Sequence, residues 1–241
     1  MGDRGPDDPV IGLDDIRRVR LGHYTMPADS SLPNQKIIVL AYVIRHPEGL
    51  VLFDTGIGED HEEAERRYHP IVRRPLREAL SSLGVRLEDI TAIVNCHFHL
   101  DHCGGNPLFP GTPIFAQEAE YEASHSLEYT LPHVVDFEGA KLELHAGEAD
   151  VAPGLRIIPT PGHTPGHQSL LVETREGRVL IAGQAMNDAA EYGRAEFAGR
   201  IRRSGNEEAP EPPDRIDRIH ELLPRRVFFA HDPAVWEPFA D

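Results

Sequence analysis

Cysteine is nearly absent from this 241-residue chain. Its two cysteines, Cys96 and Cys103, are too few to staple a small secreted scaffold, and such scarcity fits a reducing compartment. No apolar run approaches the roughly 20 residues of a membrane-spanning helix. Residues 1–9 have neither the basic start nor the apolar core of a signal peptide. The expected location is therefore cytoplasmic. Positive charge is also short: 24 Lys and Arg stand against 40 Asp and Glu, a formal net charge of -16. That balance argues against nucleic acid and against an anionic membrane surface as partners. The chain is nevertheless 40% hydrophobic, enough for a substantial core.

Residues 1–12 carry Gly, Pro and acidic side chains without periodicity and read as a flexible N-terminus, ahead of a single domain over residues 13–241. Apolar runs at 36–45 and 50–53, joined by Pro47-Glu48-Gly49, predict a hairpin. Residues 59–83 are charged, with Val72, Leu76, Leu80 and Leu83 at helical intervals, and predict one or two helices closed by Gly84. A strand is expected at 90–94, a short strand at 112–116 and a helix over 117–128. Further strands follow at 142–144 and 155–158, a hairpin at 169–173 and 178–182, a helix at 214–223 and a last strand at 226–230. Residues 189–203 fit neither period cleanly. Strands and hairpins in both halves, with helices between, predict an α+β sandwich of two mainly antiparallel sheets with helices outside.

The chemistry concentrates after the 90–94 run, in Asn95-Cys96-His97-Phe98-His99-Leu100-Asp101-His102-Cys103-Gly104-Gly105. Three histidines and an aspartate within six residues, on a turn at a strand end, offer neutral imidazole nitrogen and carboxylate oxygen to a borderline cation such as zinc. A thiolate ligand from Cys96 is the weaker alternative, because successive side chains of a strand point to opposite faces. Three more ligand-type residues, His163 in a Thr-Pro-Gly-His context, Gln184 and His231, also follow strands or strand-to-loop junctions. His167 reads as structural.

Taken in order, His97-x-His99-x-Asp101-His102, His163 and His231 resemble the metallo-β-lactamase superfamily, and within it the N-acyl homoserine lactonase branch. The resemblance implies an αββα sandwich with a two-metal site at one sheet edge. It implies that His97, His99 and His163 hold one metal and that Asp101, His102 and His231 hold the other. It further implies that Asp54, in Asp54-Thr55-Gly56, orients a ligand imidazole. The branch carries an aspartate that bridges both metals, and here Gln184 stands at its place. A carboxamide offers one neutral oxygen where a carboxylate offers two anionic ones. The expectation is zinc, with iron or manganese as alternatives, one ion held firmly and the second weakly or not at all. The branch also carries a substrate-contacting tyrosine a few residues on; Asn187 occupies that place, so either Tyr192 substitutes for it from a rearranged loop or that donor is absent.

The resemblance implies a metal-dependent hydrolase that opens an N-acyl homoserine lactone-like ring by hydroxide attack, with Asp101 orienting the nucleophile and moving its proton. The partner is then a small lactone or ester. Alternatives are another ester or thioester hydrolase or a cyclase of the superfamily, or a divergent, weakly active protein that binds a small molecule.

Overall fold

The computed structural model describes residues 11–30, 32–59, 61, 70–126 and 130–238. Twelve strands among them form two sheets. The first holds seven, in the order β4 (Ile71–Arg73), β1 (Ile16–Thr25), β2 (Lys36–His46), β3 (Gly49–Phe53), β5 (Ile90–Val94), β6 (Pro113–Gln117) and β7 (Lys141–His145). The second holds five, in the order β12 (Arg226–Phe228), β11 (Gly177–Ile181), β10 (Gln168–Thr174), β9 (Leu155–Pro159) and β8 (Ala149–Ala152).

Alternation along β2 sets the layers. Leu40, Tyr42 and Ile44 face the second sheet, where they pack with Leu155, Ile157, Leu170, Val172, Val179 and Ile181. Val39, Ala41 and Val43 face the other way, onto Leu76, Ala79 and Leu80 of helix α1 (Leu76–Ser81). Both faces of β2 are therefore buried, which explains its near-continuous apolar run. The second sheet repeats the pattern, with Leu171 and Leu180 turned outward onto Tyr192, Ile216 and Ile219. Those residues belong to two helices further along the chain, Ala189–Arg203 and Asp214–Glu221. Helix, sheet, sheet and helix is the expected order of layers. The Tyr42 hydroxyl joins the sheets by donating to the Phe229 carbonyl at 2.7 Å.

Both sheets are mixed. β3, β5, β6 and β7 pair in parallel, as do β11 and β12, because helical connections return the chain to the same end of the sheet. Three of those connections contain α1, α2 (Leu100–Cys103) and, between β6 and β7, α3 (Glu118–Ser124) with α4 (Pro132–Val135). The parallel arrangement brings the C-terminal ends of β3 and β5 together at one edge, opposite those of β11 and β12.

Several expectations change. Ile11 is buried and bridges Thr174, and its carbonyl accepts from the Arg175 amide at 3.0 Å. Residues 11 and 12, expected to be flexible, are therefore packed; residues 1–10 lie outside the described residues. Of the helical span at 59–83, residues 60 and 62–69 also lie outside them, Val72 belongs to β4, and only α1 is helical. Gly84 closes it at φ +69, the left-handed conformation glycine adopts without strain. The helix expected over 117–128 is α3, ending at Ser124, with residues 127 and 128 outside the described residues. Residues 189–203, ambiguous by period, form α5 (Ala189–Arg203), followed by α6 (Asp214–Glu221). Helix α5 starts at Asp188, whose carboxylate accepts from the Glu191 amide at 2.6 Å, and ends in Arg200, Arg202 and Arg203. Capping and charge placement supply what its irregular apolar pattern does not.

Candidate metal centre

The turn after β5 is held by a cage of buried polar groups. Asn95 donates to the His102 carbonyl at 3.1 Å, and the Thr55 hydroxyl reaches the same carbonyl at 3.1 Å. Asn106 links Thr55 to Asn95 at 2.9 Å on each side. Gly104 and Gly105 let this turn lie directly on the Asp54 loop: a Cβ at Gly104 would come 2.0 Å from the Ile57 carbonyl oxygen, and one at Gly105 2.6 Å from that of Thr55. The paired glycines are thus required by close approach, not by turn geometry alone.

On this support two donor sets form. His97 Nε2 lies 2.9 Å from His99 Nδ1, and His163 Nε2 lies 3.1 Å from the same nitrogen. Both spacings come close to the edge of a tetrahedron built on zinc–nitrogen bonds of 2.0–2.1 Å, about 3.3 Å. In the second set, Asp101 Oδ2 is 3.4 Å from His102 Nε2 and 3.5 Å from His231 Nε2. The sets adjoin, since the His97 and His102 rings are centred 4.2 Å apart.

The outer contacts aim the donors. His102 Nδ1 donates to Asp54 Oδ2 at 2.9 Å, and His231 Nδ1 donates to the Ile38 carbonyl at 2.7 Å. Because carboxylate and carbonyl oxygens only accept, both Nδ1 atoms carry hydrogen, which leaves Nε2 as the nitrogen each ring can offer a cation: the neutral His231 by its lone pair, His102 on releasing its second proton. Both Nε2 atoms are buried without a hydrogen-bond partner. Orphaned ring nitrogens beside a carboxylate fit a cation.

Charge follows the same plan. Burial, followed by the neighbouring imidazoles, holds His97 well below the ordinary histidine range and His163 down at about 3. Burial also lowers His231. These rings are neutral at pH 7. For His102 burial opposes the charge, but the Asp101 and Asp54 carboxylates outweigh it and push the ring up to about 9. Burial likewise opposes the Asp101 charge, yet His102, His231, His99 and the Tyr24 hydroxyl together depress its carboxyl.

Asp54 does more than hold His102. It is fully buried at φ +63, and its Oδ1 accepts from the Cys96 amide at 2.8 Å. The Cys96 thiol donates to Asp54 Oδ2 at 3.1 Å and lies 3.1 Å from His97 Nδ1, behind the ligand ring. Burial, then Asp54, raises its pKa well above the ordinary thiol value, so in the metal-free chain Cys96 is a thiol; its sulfur also lies within 4.8 Å of donor atoms of His97 and His167 and of Asp54 and His102, which keeps the weaker thiolate alternative open. Cys103 packs with Phe98 and Val134. His167 spends both nitrogens: Nδ1 donates to the Thr160 carbonyl at 3.1 Å and Nε2 accepts from the Gln184 amide at 3.0 Å. It is structural, as read from the sequence. His61 and His133 bond each other at 3.2 Å.

Gln184 is brought to the site by Gly183, at φ +58 against Cys96, and its side chain lies beside the His102 ring. Asn187 does not reach the donors; its amide and side chain both bond Glu191. Tyr192 is a correction. Its position one turn into α5 directs it into the layer between helix and sheet, where it is fully buried against Phe229 and Trp236 with its hydroxyl unpaired. A substrate carbonyl has no access to it.

The phenol that does reach the site is Tyr24, at the end of β1, whose hydroxyl donates to Asp101 Oδ2 at 2.9 Å. No local sequence signal marks it, because the contact spans 77 positions and depends on strand placement. Glu120, on α3, is a second residue that local reading misses: it is buried and accepts from the Phe98 amide at 2.7 Å.

Sequence and structure comparisons agree with this geometry. The Metallo-beta-lactamase superfamily profile matches residues 36–235. An N-acyl homoserine lactonase of Bacillus cereus is 33% identical over 208 residues, covering 80% of this chain and 81% of its own. One of Bacillus thuringiensis is 32% identical over 239 residues, covering 89% and 90%. Among solved structures, a B. thuringiensis AiiA mutant with N-decanoyl-L-homoserine at its active site superposes with a TM-score of 0.72 at 26% identity, covering 92% of this chain and 94% of that one. An N-acyl homoserine lactone hydrolase with the product N-hexanoyl-L-homoserine at its catalytic metal centre matches with the same score, identity and coverage. With these relatives, this order of layers and donors suited to a cation, the chain has the fold and site of an ester-bond metallo-hydrolase and belongs to the metallo-beta-lactamase superfamily.

Proposed function

We propose that the protein opens the ring of an N-acyl homoserine lactone-like substrate by metal-dependent hydrolysis. The observation that carries this reading is the pair of adjoining donor sets, with six side chains from three separate stretches of chain converging on one edge of the sandwich. The names and bound products of the relatives support a lactone as the substrate class.

In this reading His97, His99 and His163 hold one cation, and Asp101, His102 and His231 hold the other, with zinc favoured by the imidazole-rich donors and iron or manganese as alternatives. A divalent cation supplies a water of lowered pKa and polarises a carbonyl. The chain does the rest. Asp101, fixed from one side by Tyr24, orients the attacking water and carries its proton. Asp54 and the Ile38 carbonyl keep the His102 and His231 rings from turning. Gln184 beside His102 supplies no charge, so the second cation is held more weakly than the first. Among the described residues no helix is long and apolar enough to cross a membrane. The two free, buried cysteines support a cytoplasmic location as part of the same proposal.

The test is a panel of N-acyl homoserine lactones, other lactones and simple esters, run on chelator-treated protein with Zn²⁺, Mn²⁺ or Fe²⁺ restored. Metal-dependent ring opening, abolished in His99→Ala, is the expected result. A folded protein that binds these metals yet turns over nothing would instead identify a divergent ligand-binding relative, the reading that Gln184 and the buried Tyr192 favour.

A further inference from the structure

Two loops carry the first donor set, and nothing in the donor residues themselves fixes the distance between them. His97 and His99 ride on the turn after β5, whereas His163 rides on the loop between β9 and β10, in the other sheet. At their base the loops are joined directly: the Gln168 amide donates to the Cys96 carbonyl at 2.8 Å, and the Gln168 side chain donates to the Asn95 carbonyl at 2.8 Å. That contact lies at the strand ends. The donors are further out.

There a single buried side chain spans the gap. Glu120 Oε1 accepts from the amide of Phe98, the residue between His97 and His99, at 2.7 Å. Its Oε2 accepts from the Thr164 hydroxyl at 2.6 Å and the Gly166 amide at 3.1 Å, on either side of the next residue in the His163 loop. The carboxylate is 1% exposed. Gly166 permits the approach: a Cβ there would come 2.2 Å from the Glu120 amide nitrogen. A buried carboxylate is costly unless hydrogen-bonded, and a glutamine could satisfy the apolar surroundings with less desolvation. Acceptors facing donors on both loops are what a carboxylate provides and a carboxamide does not.

We propose that Glu120 is a positioning residue for the first metal: by accepting from Phe98 on one loop and from Thr164 and Gly166 on the other, it sets the separation of His97 and His99 from His163. The inference rests on the metal-centre reading above, and it concerns how the site is held at its binding distance. In Glu120→Gln the new NH₂ faces either the Phe98 amide or the Gly166 amide, donor against donor, and one loop must retreat.

Chelator-treated protein titrated with Co²⁺ tests this without reference to turnover, since the visible absorption of bound Co²⁺ reports its donor geometry. In Glu120→Gln the tighter Co²⁺ site should weaken by about 10–100-fold, the range for outer partners of metal ligands, and its band positions should move. Thr164→Val, which removes one of the three bonds at nearly equal volume, should produce the same changes to a smaller degree and guards against misfolding of the first variant. Leu80→Ala, a cavity in the layer under α1, should lower stability but leave affinity and spectrum unchanged. If both loop variants fold and bind Co²⁺ with the affinity and spectrum of the unaltered protein, Glu120 does not position the site. If the unaltered protein takes up no Co²⁺, the metal-centre reading falls, and the positioning role with it.

Discussion

Replacing Asp54 by Asn keeps the shape of the side chain and reverses the character of one atom. In the protein Oδ1 accepts from the Cys96 amide at 2.8 Å, and Oδ2 accepts from His102 Nδ1 at 2.9 Å and from the Cys96 thiol at 3.1 Å. A backbone amide in a turn cannot rotate away, so the asparagine oxygen stays with Cys96 and its NH₂ faces His102 Nδ1–H. The conflict is relieved when Nδ1 gives up its hydrogen, leaving the proton of the His102 ring on Nε2, the atom that faces Asp101. That nitrogen is then blocked, and binding a cation requires returning the proton to an unpaired, buried position. Leaving such a donor unpaired costs about 1–3 kcal/mol, which at about 1.4 kcal/mol per tenfold is roughly 5–150-fold in affinity. The range overlaps the about 10–100-fold losses typical of such partners. Calorimetric titration of chelator-treated protein with Zn²⁺ measures it. The weaker of two binding steps, the one that uses His102, should weaken further while the tighter step is unchanged. Equal affinities in variant and parent, with the fold intact, would refute the reasoning, and so would a loss confined to the tighter step.

Metal analysis of the purified protein should give close to one firmly held ion, and Gln184→Asp should raise the content towards two by adding a carboxylate beside His102; two tightly held ions in the parent would contradict this. The metal-free protein should be most stable near neutral pH. His97, His163, His167 and His231 are depressed on folding, so below the unfolded histidine value of about 6.5 the unfolded chain binds protons that the folded one refuses, and stability falls as pH drops. His102 is raised to about 9, so its contribution is complete below about 6.5 and is lost as pH climbs through 9. Thermal melts of chelator-treated protein across pH 4.5 to 9.5 should trace that maximum, and a flat acid limb would contradict the neutral-imidazole assignment.

The layers were legible because β2 and β10 alternate between two buried faces, a pattern written locally in the sequence. β4 and β8 were not, because each spans only three or four residues, too few to show a period, and is a strand only by pairing with β1 or β9. The clustering of candidate donors in the 97–102 turn was legible for the same local reason, and that of His163 and His231 through their place after strands. What surrounds the ligands was not: Tyr24, Glu120 and the Ile38 carbonyl meet the site through tertiary register, which no short window encodes. Tyr192 was misread because a donor expected by position was assigned to the next tyrosine in the chain. The start of α5 at Asp188 instead turns that residue into the core.

The donors also lie far apart along the chain. Those of the first set come from residues 97, 99 and 163, one segment from each sheet, and those of the second come from residues 101, 102 and 231. A cation held by either set therefore closes a loop of more than 60 residues between the two halves of the sandwich, as a crosslink would. The unfolded chain offers no such arrangement, so occupancy favours only the native state, by about 4.1 kcal/mol when the free metal is 1,000 times its dissociation constant. Under the proposed function, the supply of metal then sets the stability of the folded chain as well as its turnover of substrate.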